Sequence, residues 1–228
     1  MGIGVIVALH WICFYGSIKL ANASIAVLCM ATASFFTSII EPFFTQRKFI
    51  WLDFIFGILI VPGMFMIVNN TRLDMLPGIW VGLLAAALAA TFATLNKKYI
   101  HTARPLQISF LEMSSAWLFI SLLLPWLFTL PETGNFLPSQ WDWAYLVVLS
   151  LLCTTLPYAL TVRALHHVSA FASNMVINME PVYGVILAWL ILGDNEDLNP
   201  EFYMGTALII VVVFLYPVFR RRMIRKSA

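Results

Sequence analysis

Long apolar runs alternate with short polar segments along the whole chain. Polar segments such as 46–48, 69–72 and 194–197 separate the runs. A helix of about 20 apolar residues crosses a bilayer, and unbroken apolar runs favour helices over the alternating strands of a barrel. The pattern therefore predicts an all-α, polytopic transmembrane helix bundle of about eight spans. We label the spans A to H, at 2–18, 24–44, 50–68, 77–95, 107–130, 141–162, 171–192 and 203–219.

Composition strengthens this prediction. Of the 228 residues, 61% are hydrophobic and only 11% are charged, and the mean hydropathy is +0.90. About a quarter of the residues in a soluble domain are charged, so this chain has too few charges to cover a globule. The composition excludes a soluble enzyme, a nucleic-acid-binding domain and a disordered chain, and it makes the lipid bilayer the expected partner.

The positions of the basic residues predict the orientation. If the tail at 220–226 is cytoplasmic and the spans alternate, 11 of the 13 Lys and Arg residues lie on the cytoplasmic side. Only Lys19 and Arg72 fall outside, as the positive-inside rule expects. Span A lacks a basic segment before it and an obvious cleavage site, so it reads as a retained helix. We expect an inner or plasma membrane protein with both termini in the cytoplasm.

An internal repeat relates spans A–C to spans F–H. The segment 20–24 precedes span B and the segment 165–169 precedes span G, and each following span contains Glu-Pro. Because span A runs outward and span F inward, the two copies are inverted, as in many secondary transporters. The Glu-Pro pairs are not strictly equivalent, since Glu41-Pro42 falls six residues late relative to Glu180-Pro181 when the preceding segments are aligned.

The segment 163–172, followed by 179–182 and 192–194, resembles the C-terminal signature of the EamA-type drug/metabolite transporter superfamily. The resemblance extends to span D and covers nearly the whole chain. It implies two inverted five-helix repeats around a central substrate cavity. Residues 73–228 then form a complete second repeat, and residues 1–72 form a first repeat of three helices, two fewer than the family pattern.

The polar first half of span G is the first candidate site. Glu180 lies about nine residues into the span, at a depth where a carboxylate is costly unless it is paired or hydrated. Asn174 and Asn178 lie one turn apart on the same helix. These residues are candidates to bind substrate, and Glu180 also to accept a proton. Alternatively, Glu180 caps or tethers a neighbouring helix near Pro181.

Span E supplies Glu112, with Trp117 nearby in the sequence. The carboxylate and indole could bind a cationic or hydrogen-bonding substrate, or Glu112 could reach the cytoplasmic interface beside Arg104. Glu41, near the cytoplasmic end of span B, is expected to pair with Arg47 or Lys48.

Span F carries Thr154, Thr155 and Tyr158 around Pro157, which interrupts the hydrogen bonding of the helix. A broken helix that lines a cavity is where transporters bind substrate. Alternatively, the threonines bond to carbonyls of their own helix and bend it.

In the repeat, span A corresponds to span F, so its polar and aromatic residues could face Tyr158 across the pseudo-axis. His10 could titrate near neutral pH, although a single histidine on an apolar helix is more often packed and hydrogen-bonded. The residues that span A adds to the candidate site are His10, Trp11 and Tyr15.

Gly78, Gly82, Ala86, Ala90 and Ala93 form a stripe of small residues on span D, which predicts close helix packing. The three cysteines and the pair His166-His167 show no metal-ligand spacing, and we expect no metal or cofactor.

Together the features favour a gradient-driven secondary transporter of small metabolites or amphipathic compounds, working by alternating access and exporting its substrate. Protons are a candidate coupling ion, and a homodimer is one possible assembly. An enzyme is not expected, because the common catalytic and nucleotide-binding motifs are absent. The alternative is a non-transporting or truncated membrane protein that needs partner helices.

Overall fold

The computed structural model describes residues 2–21, 23–68, 75–127, 138–180, 183 and 200–227. Regular structure in this part of the chain is helical, which confirms the all-α prediction. The helices are α1 Gly2–Leu20, α2 Ala23–Ala31, α3 Ala33–Thr45, α4 Trp51–Val68, α5 Leu76–Tyr99, α6 Pro105–Leu127, α7 Gln140–Ser150, α8 Leu156–Ala164, α9 Ala170–Ile177 and α10 Pro200–Ser227, with a π-helical segment at Leu151–Thr155 between α7 and α8.

Among the described residues, five helical segments are long and apolar enough to cross a membrane. They are Gly2–Leu20, Ile25–Thr45, Leu76–Tyr99, Pro105–Trp126 and Gln140–Ala164, and they correspond to spans A, B, D, E and F. Spans C and H contain shorter apolar helices, Trp51–Gly63 and Ala207–Arg220. Most of span G after Glu180 lies outside the described residues, so the count of eight stays a prediction.

Spans B and F are less regular than their apolar patterns suggested. Span B divides into α2 and α3 at Thr32, whose hydroxyl and backbone N–H both bond to the Cys29 carbonyl, at 2.6 and 3.0 Å. Span F contains one π-helical turn before Pro157. The division of span B was not expected, because it comes from a side-chain hydrogen bond that hydropathy does not show, whereas span F was expected to be interrupted around Pro157.

Helix α5 packs against α1, α2 and α3, and its stripe of small residues makes this possible. A Cβ atom on Gly82 would lie 2.8 Å from both Cys29 Sγ and Ser17 Oγ, and one on Gly78 would lie 2.6 Å from Ala21 Cβ. The Ser17 hydroxyl also donates to the Gly78 carbonyl at 2.7 Å. The predicted close packing of span D is confirmed.

A second core joins α4, α9 and α10. Phe56 and Ile60 of α4 pack with Phe171 of α9 and Tyr216 of α10 in one buried cluster. Helix α9 thereby packs against α3 and α4 on one side and against α10 on the other. Helix α7, in contrast, buries no residue against the described part of the chain.

Candidate functional site

A buried carboxylate lies where α5, α6 and α8 meet. The Tyr158 hydroxyl donates to Glu112 Oε2 at 2.7 Å. The Asn96 side-chain amide is 3.2 Å from the same Oε2 and 3.1 Å from the Tyr158 hydroxyl oxygen. Glu112 is only 4% exposed, so the expectation that it reaches the interface beside Arg104 was wrong. The three side chains form one polar cluster inside an apolar bundle, which we call the Glu112 cluster.

The local sequence explains how this cluster is held in place. Gly4 of α1 lies against the α6 backbone at Glu112 and against the Ser115 hydroxyl, in a space that a side chain on residue 4 would fill. Ser115 bonds to carbonyls of its own helix, Leu111 and Glu112, at 2.8 and 3.1 Å. Glu112 is therefore on a helix packed closely enough to exclude water on that side.

One acceptor of the Glu112 cluster remains available. Asn96 is 2% exposed, and its Oδ1 atom has no hydrogen-bond partner within the described residues. A buried carbonyl oxygen without a donor is costly. A donor N–H or O–H group brought to this atom would satisfy it.

Aromatic rings connect the Glu112 cluster to span A. Phe92 has its ring centroid 6.2 Å from that of Tyr158 and 5.4 Å from that of His10. His10 Nδ1 is hydrogen-bonded to the Ala85 carbonyl at 2.8 Å, so this histidine is packed and satisfied. The ring of Phe92 thus contacts both His10 and Tyr158 and links the two residues.

Thr154 and Thr155 lie in the π-helical segment and are engaged there. Their hydroxyls donate to the carbonyls of Leu149 and Ser150, five residues back, at 2.8 and 2.7 Å. The alternative in which the threonines bond to their own helix is therefore the one observed. Neither hydroxyl joins the Glu112 cluster.

The remaining aromatic candidates lie away from the carboxylate. Trp117 is 70% exposed and Tyr15 is 51% exposed, while Trp11 is half-buried on α1. Trp117 and Thr155 line a groove of about 930 Å³ between α6 and the end of span F, which is mostly apolar. Leu111 and Met113, on either side of Glu112, also line it, whereas Glu112 itself does not, so the groove and the Glu112 cluster lie on different faces of α6.

The two asparagines of span G connect helices of the two predicted repeats. The Asn174 amide donates to Thr37 Oγ1 at 2.6 Å, and the Asn178 amide donates to Ser34 Oγ at 3.0 Å. Both asparagines are buried against α3, apart from the Glu112 cluster. Glu180 is exposed at the end of this described stretch.

Glu41 caps helix α9. Its two carboxylate oxygens accept the backbone N–H groups of Ala170 and Phe171, at 3.2 and 3.0 Å. Arg47 lies 3.4 Å from Glu41, which confirms the predicted ion pair. A carboxylate at the N-terminus of a helix is stabilised by the helix dipole.

Asp53 extends this ionic cluster towards α10. It lies 3.5 Å from Arg47 and 3.4 Å from Arg220, and it accepts a hydrogen bond from Tyr216 at 3.0 Å. Asp53 is 4% exposed, so its charge is fully enclosed by these partners. The end of α3, the beginnings of α4 and α9 and the C-terminal part of α10 are thereby joined at one end of the bundle.

Three histidines meet near the end of α8. The ring of His166 lies 5.2 Å from that of His101 and 6.5 Å from that of His167, between centroids. Burial of the ring, followed by the nearby His101, His167 and Lys97, lowers the pKa of His166. Within the described residues, no group of three or more His, Cys, Asp or Glu side chains could hold a metal ion.

Several residues of these clusters carried no signal in the sequence. Asn96 reads only as part of a polar turn, and Phe92 is one aromatic residue among many in apolar spans. Asp53 had a usable signal, because a carboxylate at the start of an apolar run requires a partner.

Three comparisons bear on this arrangement. The sequence pattern of the EamA-like transporter family matches residues 76–216. An uncharacterized transporter of Bacillus subtilis (strain 168), YxxF, is 25% identical over 224 residues, which cover 91% of this chain and 68% of that protein. A protein of known crystal structure superposes with a TM-score of 0.74 over 97% of this chain and 76% of its own, at 11% identity, and so shares the fold.

Proposed function

Since the chain belongs to the EamA-like transporter family, we propose that this membrane transporter is a gradient-driven exporter of small amphipathic molecules. The Glu112 cluster carries the proposal. It joins a carboxylate, a phenol and an amide from three helices in a region where polar groups are otherwise expensive. Alternating access would expose this cluster first to one side of the membrane and then to the other.

The chemistry of the cluster favours a substrate with a cationic or hydrogen-bond-donating head. Glu112 can attract an ammonium group, and Asn96 Oδ1 can accept one further hydrogen bond. Glu112 can alternatively exchange a proton, in which case substrate and proton would compete for the same carboxylate.

The test is transport by the purified full chain in proteoliposomes, with an imposed pH gradient. Ethidium, an amphipathic cation, and a panel of amino acids serve as probes. Tyr158→Phe removes one hydroxyl from the cluster, and we expect flux to fall by about tenfold, as for a lost charged hydrogen bond. Glu112→Gln should give a loss at least as large.

Tyr145→Phe is the matched control, because Tyr145 lies exposed on α7. Unchanged flux in both Tyr158→Phe and Glu112→Gln would overturn the assignment of this site. Glu180→Gln tests the earlier candidate in span G in the same assay.

A second candidate, a membrane protein that needs partner helices, is favoured by the exposure of α7. This helix buries none of its residues against the described part of the chain, and its apolar surface could contact either lipid or another subunit. Flux by the purified chain alone would support autonomous transport. Flux that appears only when another membrane protein is added would favour the alternative.

A further inference from the structure

A cavity opens at the end of the bundle where α3 and α5 finish and α9 begins. Its volume is about 600 Å³. At its edge, Gln46 ends α3 in a left-handed backbone conformation with φ of 55°, and this turn brings Arg47 back over the helix end. We call this the basic cavity; the charged and titratable residues that line it are Glu41, Arg47, Lys97, Lys98 and His167.

The charges around the basic cavity do not balance. Three cations and a histidine line it, against the single carboxylate of Glu41. That carboxylate is already engaged by two backbone N–H groups and by Arg47. The cavity therefore has an excess of positive charge.

The two lysines have neutral partners. Lys97 Nζ donates to the Leu165 carbonyl at 2.5 Å, and Lys98 Nζ lies 5.5 Å from the centroid of the Tyr99 ring. In the part of the chain that the structure describes, no carboxylate lies within ion-pair distance of either ammonium group. Lys98 is exposed, so it is free to reorient towards a ligand.

We propose that the basic cavity binds a phosphate group. The two terminal nitrogens of Arg47 already pair with Glu41 and Asp53, so Lys97 and Lys98 supply the charge that is free to meet phosphate oxygens, which compact ammonium groups bind well. The predicted orientation places this end of the bundle in the cytoplasm. The phosphate could then belong to an anionic phospholipid of the inner leaflet, whose head group is what basic pockets between membrane helices on that side bind, or to a soluble phosphate compound. The proposal is independent of the transport site, since no member of the Glu112 cluster lines the cavity.

Thermal unfolding of the purified full chain in a neutral detergent tests the proposal. The chain is titrated with dioleoyl phosphatidylglycerol, with dioleoyl phosphatidylcholine and with inorganic phosphate. Phosphatidylglycerol or inorganic phosphate should raise the unfolding midpoint, and phosphatidylcholine should not match it. A response to phosphatidylglycerol alone identifies a lipid head group, whereas a response to inorganic phosphate identifies a soluble ligand.

Lys98→Gln is the variant of choice, because its only described partner is an aromatic ring and folding should be retained. We expect apparent affinity to weaken by about fivefold, the value of one lysine near an anionic surface. Lys19→Gln is the control. Lys19 lies in the last turn of α1, near the beginning of α5, whereas Lys98 lies near the end of α5. Equal weakening in both variants, or equal stabilisation by the two lipids with no response to inorganic phosphate, would overturn the proposal.

Discussion

The carboxylate of Glu41 accepts the backbone N–H of Phe171 at 3.0 Å, across 130 residues of sequence. This bond fixes the start of α9 to the end of α3. It also means that one acidic side chain has two functions, pairing with Arg47 and capping a helix of a different part of the chain.

Glu41→Gln should destabilise the protein by about 2 kcal/mol, the value of hydrogen bonds to a charged group. The amide can accept only at one oxygen, so one of the two N–H groups at the start of α9 loses its partner. The free energy of unfolding, measured in detergent with a denaturant series, checks this. Glu201→Gln, on an exposed residue in the first turn of α10, should change it little. Equal stability of the two variants would refute the capping role.

The bond between Thr37 and Asn174 should appear as a coupling energy. In a double-mutant cycle with Thr37→Val and Asn174→Ala, we expect about 1 kcal/mol of coupling in the unfolding free energy. In the control cycle, Thr91→Val takes the place of Thr37→Val. The Thr91 hydroxyl donates to the Ala87 carbonyl of its own helix and not to Asn174, so no coupling is expected. Zero coupling in the first cycle would mean that the hydrogen bond between Thr37 and Asn174 adds nothing to the free energy of unfolding.

Gly82→Ala tests the close approach of α5 to α1 and α2. The added methyl group would lie 2.8 Å from Cys29 Sγ and Ser17 Oγ, so neighbouring atoms must move. We expect a loss of about 1 to 3 kcal/mol in unfolding free energy, as for other overpacked sites. Gly16→Ala is the control, because its nearest neighbour, a Val81 methyl group, is 3.6 Å away. Gly16→Ala should be neutral or slightly stabilising, and a similar loss in both would contradict the packing explanation.

Protonation of His166 is expected to reduce the stability of the protein at acidic pH. The pKa of His166 is lowered from 6.5 in the folded chain, by burial and then by the nearby His101, His167 and Lys97, so the unfolded chain binds this proton more readily. The contribution of neutral His166 to the free energy of unfolding is therefore fully present above about pH 6.5. It declines as the pH falls towards the pKa of the folded state. Unfolding midpoints of the wild type and His166→Gln, measured between about pH 7.5 and pH 5, check this. The decline should be smaller in the variant, and identical declines would exclude His166 as its source.

The membrane character and most helix positions could be predicted from the sequence, because both follow from long apolar runs. The small-residue stripe of α5 and the pairing of Glu41 with Arg47 were predictable for a similar reason, since each depends on local spacing. Thr32, which divides span B, was not predictable from hydropathy, because its effect comes from a hydroxyl bonded to a nearby carbonyl.

The Glu112 cluster was only partly predictable. Glu112 and Tyr158 were candidates because polar groups in apolar spans are costly, but their direct bond depends on how α6 and α8 pack. Asn96 could not be identified, since it precedes two lysines and looks like the end of a helix. Asn174 and Asn178 were grouped with Glu180 by sequence, whereas packing directs the asparagines towards α3.

The π-helical segment Leu151–Thr155 has a consequence for Tyr158, which follows it by three residues. A π turn holds one residue more than an α turn, whereas in an α-helix each added residue rotates the side chains that follow by about 100°. The wider turn therefore takes up this extra residue, and if the same five residues formed a regular α-helix, the phenol of Tyr158 would be directed away from Glu112. The direction of the Tyr158 hydroxyl thus depends on the π turn being kept, although no residue of that turn belongs to the Glu112 cluster.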